Sequence, residues 1–317
     1  MKQEEKPFLL IDSLNLFTRH FIANPTMSIN GDHIGGIVGF LKAIQLLCER
    51  FYPEDVFVVW EGGGSPRRRN IESSYKDSRR PKKLNRYYED DIPDTKENRN
   101  WQISKLIKLL NYAGIKQLYV ADCEADDVIG YLCNDVFKEK KKIIISSDKD
   151  LYQLINKKTL QWSPGQKKII SREKVKEKFG VYPENFCLVR SFVGDPSDNI
   201  RGIKGAGFKS IVKRFPEIND NNLVIDELIK LAEEKNKSSK LKIYEEISKN
   251  PDVPKKNWKL MYLGLRNISA FQISKIDSFL ESKKNKKNKL SFMREQLHIG
   301  VNNFDIERFF LSIRNLK

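Results

Sequence analysis

The chain has few of the side chains that build disulfide frameworks, zinc sites or histidine-based catalytic triads. Its four cysteines are scattered and form no C-x-x-C pair: Cys48, Cys123, Cys133 and Cys187. Its three histidines, none of them spaced with a cysteine, are His20, His33 and His298. This pattern argues against zinc chemistry and a disulfide frame, and isolated thiols are typical of a reducing cytoplasm.

Long apolar runs are lacking as well. No stretch approaches the roughly 20 apolar residues that are needed to span a bilayer. Residues 1–6 are mostly charged and show no signal-peptide pattern. We therefore expect a cytoplasmic protein that does not insert into a membrane.

Positive charge, by contrast, is abundant. The 317 residues carry a net charge of +16 at pH 7, with 32% charged and 39% hydrophobic residues. A chain of this length can bury a sizeable core and is predicted to form two domains. A basic excess of this size favours a polyanionic partner, with nucleic acid as the first candidate and a membrane surface as the alternative.

Three predicted strands each end close to a carboxylate. The apolar runs at residues 7–11, 55–60 and 143–145 are typical of buried strands in a parallel sheet. They lead to Asp12, Glu61 and Asp148, and helical patterns such as residues 35–51 separate them. These patterns predict an α/β fold with a parallel-rich central sheet, whose ligand site lies at the carboxyl ends of the strands.

Residues 124–150 contain the most concentrated acidic pattern. Glu124, Asp126 and Asp127 open a predicted helix, and Asp148 and Asp150 follow the strand at residues 143–145. Carboxylates that converge at one sheet edge raise one another's pKa values unless a cation neutralises them. Oxygen ligands favour a hard divalent metal, Mg²⁺ first. The alternative, that these acids only start and cap helices, accounts for one or two of them but not for Asp148.

The composition changes after the glycine-rich residues 62–66. Residues 67–94 interleave cations with tyrosines and contain few side chains suited to a core. One interpretation is a solvated or disordered loop. The other is a mobile arch at about residues 62–99 that contacts phosphates through its cations and stacks bases on its tyrosines. The residues that would bind nucleic acid here are Arg67, Arg68, Tyr75, Lys76, Arg79 and Arg80.

A second glycine-rich segment follows at residues 194–210. Gly202, Gly205 and Gly207 are spaced as in the hairpin of a helix–hairpin–helix element, predicted at about residues 194–215. Such glycines let backbone N–H groups approach a phosphate, and Lys204 and Lys209 add charge, so duplex backbone is bound without sequence readout. A plain turn is the alternative interpretation. From residue 216 onward the chain is predicted to be mostly helical.

Taken together, these motifs resemble the flap endonuclease and 5′-nuclease family, and within it the bacteriophage ribonuclease H branch of the T-even type. The resemblance covers about residues 7–215. The motifs that carry it are Ile11-Asp12 with Arg19, Tyr75-Lys76-x-x-Arg79, Glu124-Ala125-Asp126-Asp127, Ser147-Asp148-Lys149-Asp150, Gly194-Asp195-x-x-Asp198-Asn199-Ile200-x-Gly202 and Gln161-Trp162-Ser163-Pro164.

The resemblance implies a PIN-like 5′-nuclease domain at residues 1–190, a helical C-terminal domain at residues 191–317, and two Mg²⁺ ions per active site, with Mn²⁺ as a substitute. The first ion would be surrounded by Asp12, Glu61, Asp127 and Asp148, with Glu124 and Asp126 nearby, and the second would be served by Asp150, Asp195 and Asp198. The implied catalytic residues are Asp12, Asp148, Lys76 and Arg79, the last two acting on the scissile phosphate. Arg19 would bind nucleic acid. Glu61 departs from the family, which usually has aspartate at that position.

The resemblance also implies a 5′-3′ exonuclease and flap endonuclease that removes RNA primers during DNA replication by two-metal catalysis. Its substrates would be DNA and RNA–DNA duplexes with a single-stranded 5′ end or flap. The expected protein partners are a single-stranded-DNA-binding protein and a sliding clamp. We expect a monomer, located in the host cytoplasm if a phage encodes it.

Three alternatives make different predictions. A non-catalytic, structure-specific DNA-binding protein of the same fold would show no cleavage that an Asp148→Asn substitution could remove. A helix–hairpin–helix glycosylase needs no group of carboxylates at strand ends and would be insensitive to EDTA. A PIN-type ribonuclease acting on single-stranded RNA would have no use for a duplex-binding hairpin.

Overall fold

Five parallel strands and one antiparallel strand form the central sheet. The structure, a computed structural model, describes residues 5–77, 96–219, 223–239, 241–282 and 286–317. The strands are β1 Phe8–Asp12, β2 Asp55–Trp60, β3 Lys116–Tyr119, β4 Lys142–Ile145, β5 Thr159–Ser163 and β6 Lys168–Ile170. They are ordered β3-β2-β1-β4-β5-β6, and only β6 runs antiparallel, against β5. The predicted α/β fold with a parallel-rich sheet is confirmed.

The central strands are buried on both faces, as their apolar runs predict. In β1, Leu10 lies between Phe57 of β2 and Ile144 of β4. β4 begins one residue earlier than predicted, at Lys142, although this lysine is buried. Its ammonium group donates hydrogen bonds to the backbone carbonyls of Phe137 and Lys138, at 2.7 and 3.2 Å, so the buried charge is satisfied.

Fourteen α-helices lie in the described part of the chain. They are α1 Ser13–Ala23, α2 Gly35–Phe51, α3 Pro66–Ile71, α4 Lys96–Tyr112, α5 Ala125–Tyr131, α6 Arg172–Phe179, α7 Phe186–Val193, α8 Phe208–Arg214, α9 Ile225–Ser238, α10 Lys242–Lys249, α11 Asp252–Met261, α12 Ala270–Glu281, α13 Lys289–Ile299 and α14 Ile306–Ser312. The predicted helix at residues 35–51 is confirmed at both ends, and the predicted helical C-terminal region is also confirmed. None of the helices in these ranges is long and apolar enough to cross a membrane.

The two faces of the sheet carry different helices. One face packs on α1, α2, α4, α13 and α14 through residues such as Ile11 and Val58. The other face packs on α5 and α12 through Leu10 and Phe57. A third core lies around α7, α8 and α9 and contains Phe186 and Phe215. Through α13 and α14 the chain thus returns to the sheet after residue 190. The predicted domain boundary at residue 190 stays a prediction.

Candidate active site

Ser146 joins the carboxyl ends of β1 and β4. Its hydroxyl donates a hydrogen bond to Asp12 Oδ2 at 2.9 Å and accepts one from the Asp148 amide at 3.0 Å. Asp12 also caps α1 by accepting a hydrogen bond from the Asn15 amide at 3.2 Å. Burial raises the pKa of Asp12 to about 6, and repulsion from Asp148 and Glu61 adds to this shift. Two predicted carboxylates are thus brought together by a serine that was not predicted.

Asp12, Glu61, Asp126 and Asp148 make up the first carboxylate group. Glu61 follows β2 and accepts a hydrogen bond at 3.2 Å from the first amide of α5. Burial raises the pKa of Glu61, and the charge of Glu124 adds to that shift. Burial also raises the pKa of Asp126 well above its ordinary value, followed in size by the charges of Asp148 and Asp12. Carboxylates that repel one another in this way fit a divalent cation, which would neutralise them.

Asp150, Asp195 and Asp198 make up the second carboxylate group. One oxygen of each lies within 4.8 Å of the others. Burial raises the pKa of Asp150 to about 7, and repulsion from Asp148 adds to the shift. The Oδ1 atom of Asp150 is buried and accepts no hydrogen bond among the described residues; its cationic neighbour among them is Arg190, at 3.3 Å. An all-oxygen donor set of this kind fits a hard divalent ion.

Arg190 lies beside the second carboxylate group and was not predicted. It belongs to α7, and its Nη2 atom donates a hydrogen bond to Asp195 Oδ2 at 2.5 Å. Its Nε atom lies 3.3 Å from Asp150 Oδ1, without the alignment of a hydrogen bond. Its charge opposes the upward pKa shift of Asp150. Nothing in the sequence separates Arg190 from the many other cations, and only the direction of α7 brings it to the site.

Lys76 stands next to the first carboxylate group through its ion pair with Glu124. The Lys76 ammonium lies 2.7 Å from Glu124 Oε2, and the Tyr75 hydroxyl donates to the same oxygen at 3.2 Å. Burial disfavours the charged form of Lys76, but the charges of Glu124 and Asp126 and the Tyr75 hydroxyl together outweigh it and raise the pKa of Lys76 above its ordinary value. Burial likewise opposes ionisation of Glu124, but Lys76 and Arg68 hold its pKa below the ordinary value. Both residues are therefore charged at neutral pH.

Arg68 and Asp127 form a buried pair, and this differs from the roles predicted for both. The guanidinium binds both oxygens of Asp127, at 2.5 and 2.7 Å, and donates to the Leu260 carbonyl at 2.6 Å. Asn267 donates a further hydrogen bond to Asp127 at 2.9 Å. Arg68 is only 2% exposed, so the prediction that it binds nucleic acid is wrong. Asp127 is occupied as a partner of Arg68, which disfavours its predicted role as a metal ligand.

Tyr75 does not present its ring to a nucleic acid base. It is 6% exposed and packs in a small core with Cys187, Ile200, Leu260 and Met261. The prediction that this tyrosine stacks bases is therefore wrong. The reason is its apolar ring, which is more stable in this core than in water, while its hydroxyl reaches Glu124.

The other predicted contacts of the arch are only partly described. Arg67 is exposed and donates a hydrogen bond to Asn267, and Arg19 is exposed on α1. The side chain of Arg19 lies close to Gly165, in the turn between β5 and β6 at the same sheet edge. Arg79 and Arg80 lie outside the described residues.

The glycines of the hairpin have different roles from one another. A Cβ atom on Gly202 would lie 2.0 Å from the Val193 carbonyl oxygen, so this glycine permits a close approach of two chain segments. The amide of Gly207 donates to the Ser210 hydroxyl at 2.8 Å and is not free for a phosphate. Gly205 has a positive φ of 78° and open space around it, and Lys204 and Lys209 beside it are exposed. The predicted backbone contact is thus restricted to the tip of the hairpin.

The known proteins that this chain is similar to agree with this arrangement. Residues 7–180 match the family model described as 5′-3′ exonuclease, N-terminal resolvase-like domain. The chain belongs to the 5′-3′ exonuclease family. A 5′-3′ exonuclease of Buchnera aphidicola subsp. Schizaphis graminum is 30% identical over 76% of this chain and 82% of its own length. A 5′-3′ exonuclease of Aquifex aeolicus is 32% identical over 67% of this chain and 71% of its own.

Solved structures show the same fold. A flap endonuclease of bacteriophage T5, in a complex with DNA and metal ions, matches with a TM-score of 0.68. The match covers 94% of this chain and 100% of that one at 19% identity. The predicted PIN-like fold, the predicted family and the predicted class of enzyme, a nuclease, are confirmed. The narrower resemblance to the T-even branch stays a prediction.

Proposed function

We propose that this member of the 5′-3′ exonuclease family is a divalent-metal-dependent 5′-nuclease that cuts DNA at single-stranded 5′ ends and flaps and removes RNA from RNA–DNA hybrids. The observation that carries the proposal is the placement of Lys76 beside two carboxylate groups at the carboxyl edge of the sheet. The T5 flap endonuclease, which was solved with DNA and metal ions, supports it through its similar fold.

The two carboxylate groups are suited to hold one cation each. Asp12, Asp126 and Asp148, with Glu61, would hold the first, and Asp150, Asp195 and Asp198 would hold the second. We propose Mg²⁺, with Mn²⁺ as a substitute, because the available ligands are oxygens. Bound cations would supply an activated water and neutralise charge on the phosphate. Ser146 and Arg190 orient carboxylates that would receive these cations.

The chain's own cations would act on the substrate. Lys76 remains protonated, and its ammonium lies at the sheet edge where a scissile phosphate would be placed. Glu124 fixes the direction of that side chain and does not need to bind metal itself. Arg79 is proposed as the second cation of this kind. Lys204, Gly205 and Lys209 would hold the duplex backbone, and Arg19 and Arg67 would contact the strand near the active site.

The test of the proposed function is cleavage of defined substrates. The protein is incubated with a 5′-labelled flap duplex, an RNA-primed duplex and a blunt duplex, each with Mg²⁺ and with EDTA. We expect short 5′ products from the first two substrates with Mg²⁺ and none with EDTA. Binding without cleavage in Mg²⁺ and in Mn²⁺ would contradict the proposal and favour a non-catalytic DNA-binding protein. A single-stranded-DNA-binding protein and a sliding clamp as partners, and a monomeric state, stay predictions.

Metal binding can be measured without any substrate. A ligand that binds only the folded protein at a hundredfold excess over its Kd stabilises it by about 2.7 kcal/mol. For a chain of this size, that corresponds to an increase in Tm of roughly 4 °C. We expect such an increase when Mg²⁺ replaces EDTA in calorimetry, and a smaller one for Asp150→Asn. Without metal, Asp150→Asn should melt higher than the native protein, because it removes repulsion from Asp148, Asp195 and Asp198.

The matched control for this measurement is Asp135→Asn. Asp135 is exposed and lies before β4, at the opposite sheet edge. It should leave the Mg²⁺-dependent increase in Tm unchanged. If Asp150→Asn retains the full increase, the second carboxylate group does not hold the ion.

The hairpin cations should set duplex affinity without reading sequence. Replacing Lys204 and Lys209 with alanine should weaken binding of unrelated duplex sequences by the same factor. It should also reduce the slope of log K against log salt by about two, since each phosphate contact contributes about 0.9. Fluorescence anisotropy at several salt concentrations measures both quantities. The control replaces Lys140 and Lys141, two exposed lysines before the amino end of β4, and should leave the slope unchanged.

A further inference from the structure

Asn199 belongs to the motif at residues 194–202, and its side chain has no role in the proposed reaction. Its backbone has a positive φ of 61°, directly after the turn Pro196–Asp198. Its Nδ2 atom donates a hydrogen bond to the Ser74 carbonyl at 3.1 Å. Next to it, the amide of Lys76 donates to the Asp198 carbonyl at 3.1 Å. Two hydrogen bonds therefore connect the turn that carries Asp198 to the segment that carries Lys76.

The turn around Asn199 is itself held in place by several hydrogen bonds. The amides and carbonyls of Asp195 and Ile200 form two reciprocal hydrogen bonds of 2.8 Å. Behind the turn, the buried side-chain amide of Asn257 donates to the carbonyls of Ser191 and Arg201, at 2.8 and 2.7 Å. Because these bonds close the turn and fix both of its ends, a group that is hydrogen-bonded to it is held in one place.

The backbone of Lys76, by contrast, has an unfavourable conformation that other contacts must stabilise. Its φ of 63° is in the left-handed region, which costs free energy for a lysine. The burial of Tyr75 holds the neighbouring residue, and the amides of Tyr75 and Asp77 close a local turn by donating to the Glu72 and Ser74 carbonyls, at 3.0 and 3.2 Å. The hydrogen bonds to Asp198 and from Asn199 lie on either side of Tyr75 and fix this local turn relative to the turn that carries Asp198.

We propose that Asn199 is a positioning residue for Lys76. By tying the Ser74 carbonyl to the turn of Asp195 and Asp198, it keeps the Lys76 ammonium and the second carboxylate group in one mutual geometry. The same tie links the hairpin that would bind duplex to the lysine that would act on the phosphate. This inference rests on the proposed nuclease function, and it assigns to Asn199 an effect that passes through Lys76.

The clean variant is Asn199→Gly. Glycine adopts a positive φ without strain, so the substitution removes the amide but keeps the backbone conformation accessible. With saturating protein, single-turnover cleavage of a 5′-flap duplex in Mg²⁺ should be slower by about tenfold. The Kd for that duplex, measured in Ca²⁺, should stay within about twofold, since Asn199 makes no proposed contact with it. The control is Tyr52→Gly. This variant also places glycine at a residue of positive φ (45°), but directly after α2 and at the opposite sheet edge.

A double-mutant cycle separates positioning from a general structural effect. In a Lys76→Ala background, Asn199→Gly should slow cleavage by less than about twofold, because the residue it positions is gone. Asn199→Asp tolerates the same φ but cannot donate to a carbonyl, and should be slowed like the glycine variant. A full tenfold loss in the Lys76→Ala background, or native rates for both Asn199 variants, would overturn the proposal.

Hydrogen exchange tests the hydrogen bond between Asn199 and Ser74 without any cleavage. In the protein free of DNA and metal, amides of residues 74–77 should exchange faster in Asn199→Gly than in the native chain. Unchanged exchange in that segment would refute the positioning role even if the nuclease is active. Absence of cleavage by the native protein, together with faster exchange in the variant, would refute the proposed function. It would still show that Asn199 holds the segment at residues 74–77.

Discussion

Replacing Asp148 with asparagine should slow Mg²⁺-dependent cleavage by about a thousandfold or more while duplex binding is retained. Such a loss corresponds to about 4 kcal/mol of transition-state stabilisation. Asp148 repels both Asp12 and Asp126, and it shares the hydroxyl of Ser146 with Asp12, so it is at the centre of the first carboxylate group. An amide of the same shape keeps the packing and removes the charge that would hold a cation.

Single-turnover cleavage of a 5′-flap duplex and anisotropy with the same duplex measure the two effects separately. Binding should be equal or tighter, because the variant removes one negative charge near the phosphates. Asp135→Asn is the control and should cleave at the native rate, as its carboxylate is exposed at the opposite sheet edge. Cleavage within tenfold of the native rate for Asp148→Asn would remove Asp148 from the catalytic group.

Replacing Arg68 with methionine should lower the free energy of unfolding by about 3–5 kcal/mol, because Asp127 would stay buried without its cation. Only the hydrogen bond from Asn267 would remain on that carboxylate. The Tm should fall by roughly 5–8 °C. Thermal and urea unfolding monitored by circular dichroism measure the change. Arg67→Met is the matched control on the same helix: Arg67 is exposed, and its replacement should change stability by less than about 0.5 kcal/mol.

The two roles considered for Asp127 give opposite results. If Asp127 is the partner of Arg68, Asp127→Asn lowers stability in EDTA and leaves the Mg²⁺-dependent increase in Tm unchanged. If it is a metal ligand, as the family resemblance implied, that increase becomes smaller, as is expected for Asp150→Asn. Equal stability of Arg68→Met and Arg67→Met would mean that the buried pair contributes nothing.

Features that depend on local sequence were predicted well. The strands near Asp12, Glu61 and Asp148, and the helix at residues 35–51, follow from unbroken apolar runs and from helical periodicity. Parallel strands place their carboxyl ends at one edge, and the meeting of Asp12, Glu61 and Asp148 follows from that rule. Asp150, Asp195 and Asp198 were grouped by family resemblance, and the structure brings their oxygens together.

Features that depend on tertiary contacts were not accessible in the same way. Arg68 belongs to a run of three arginines and is indistinguishable from Arg67 and Arg69 by sequence, yet it alone of the three is buried. The turn of α3 directs its side chain inward to Asp127. Tyr75 in a polar segment resembles a base-stacking residue, and only the packing of α7 and α11 around it reveals a core position.

The last helices give the chain a particular order of assembly. Phe292 of α13 and Phe309 of α14 are fully buried in the same core as β1, α1 and α2, although well over 200 residues of chain separate these last two helices from the first three elements. During synthesis, the face of the sheet that packs on α1 and α2 therefore stays partly uncovered until residues 289–312 have been made. A nascent chain released near residue 190 would expose the apolar sides of α2 and α4 and would be prone to aggregate or to need a chaperone. Ribosome-bound intermediates should thus become protease-resistant only after residues 289–312 have emerged.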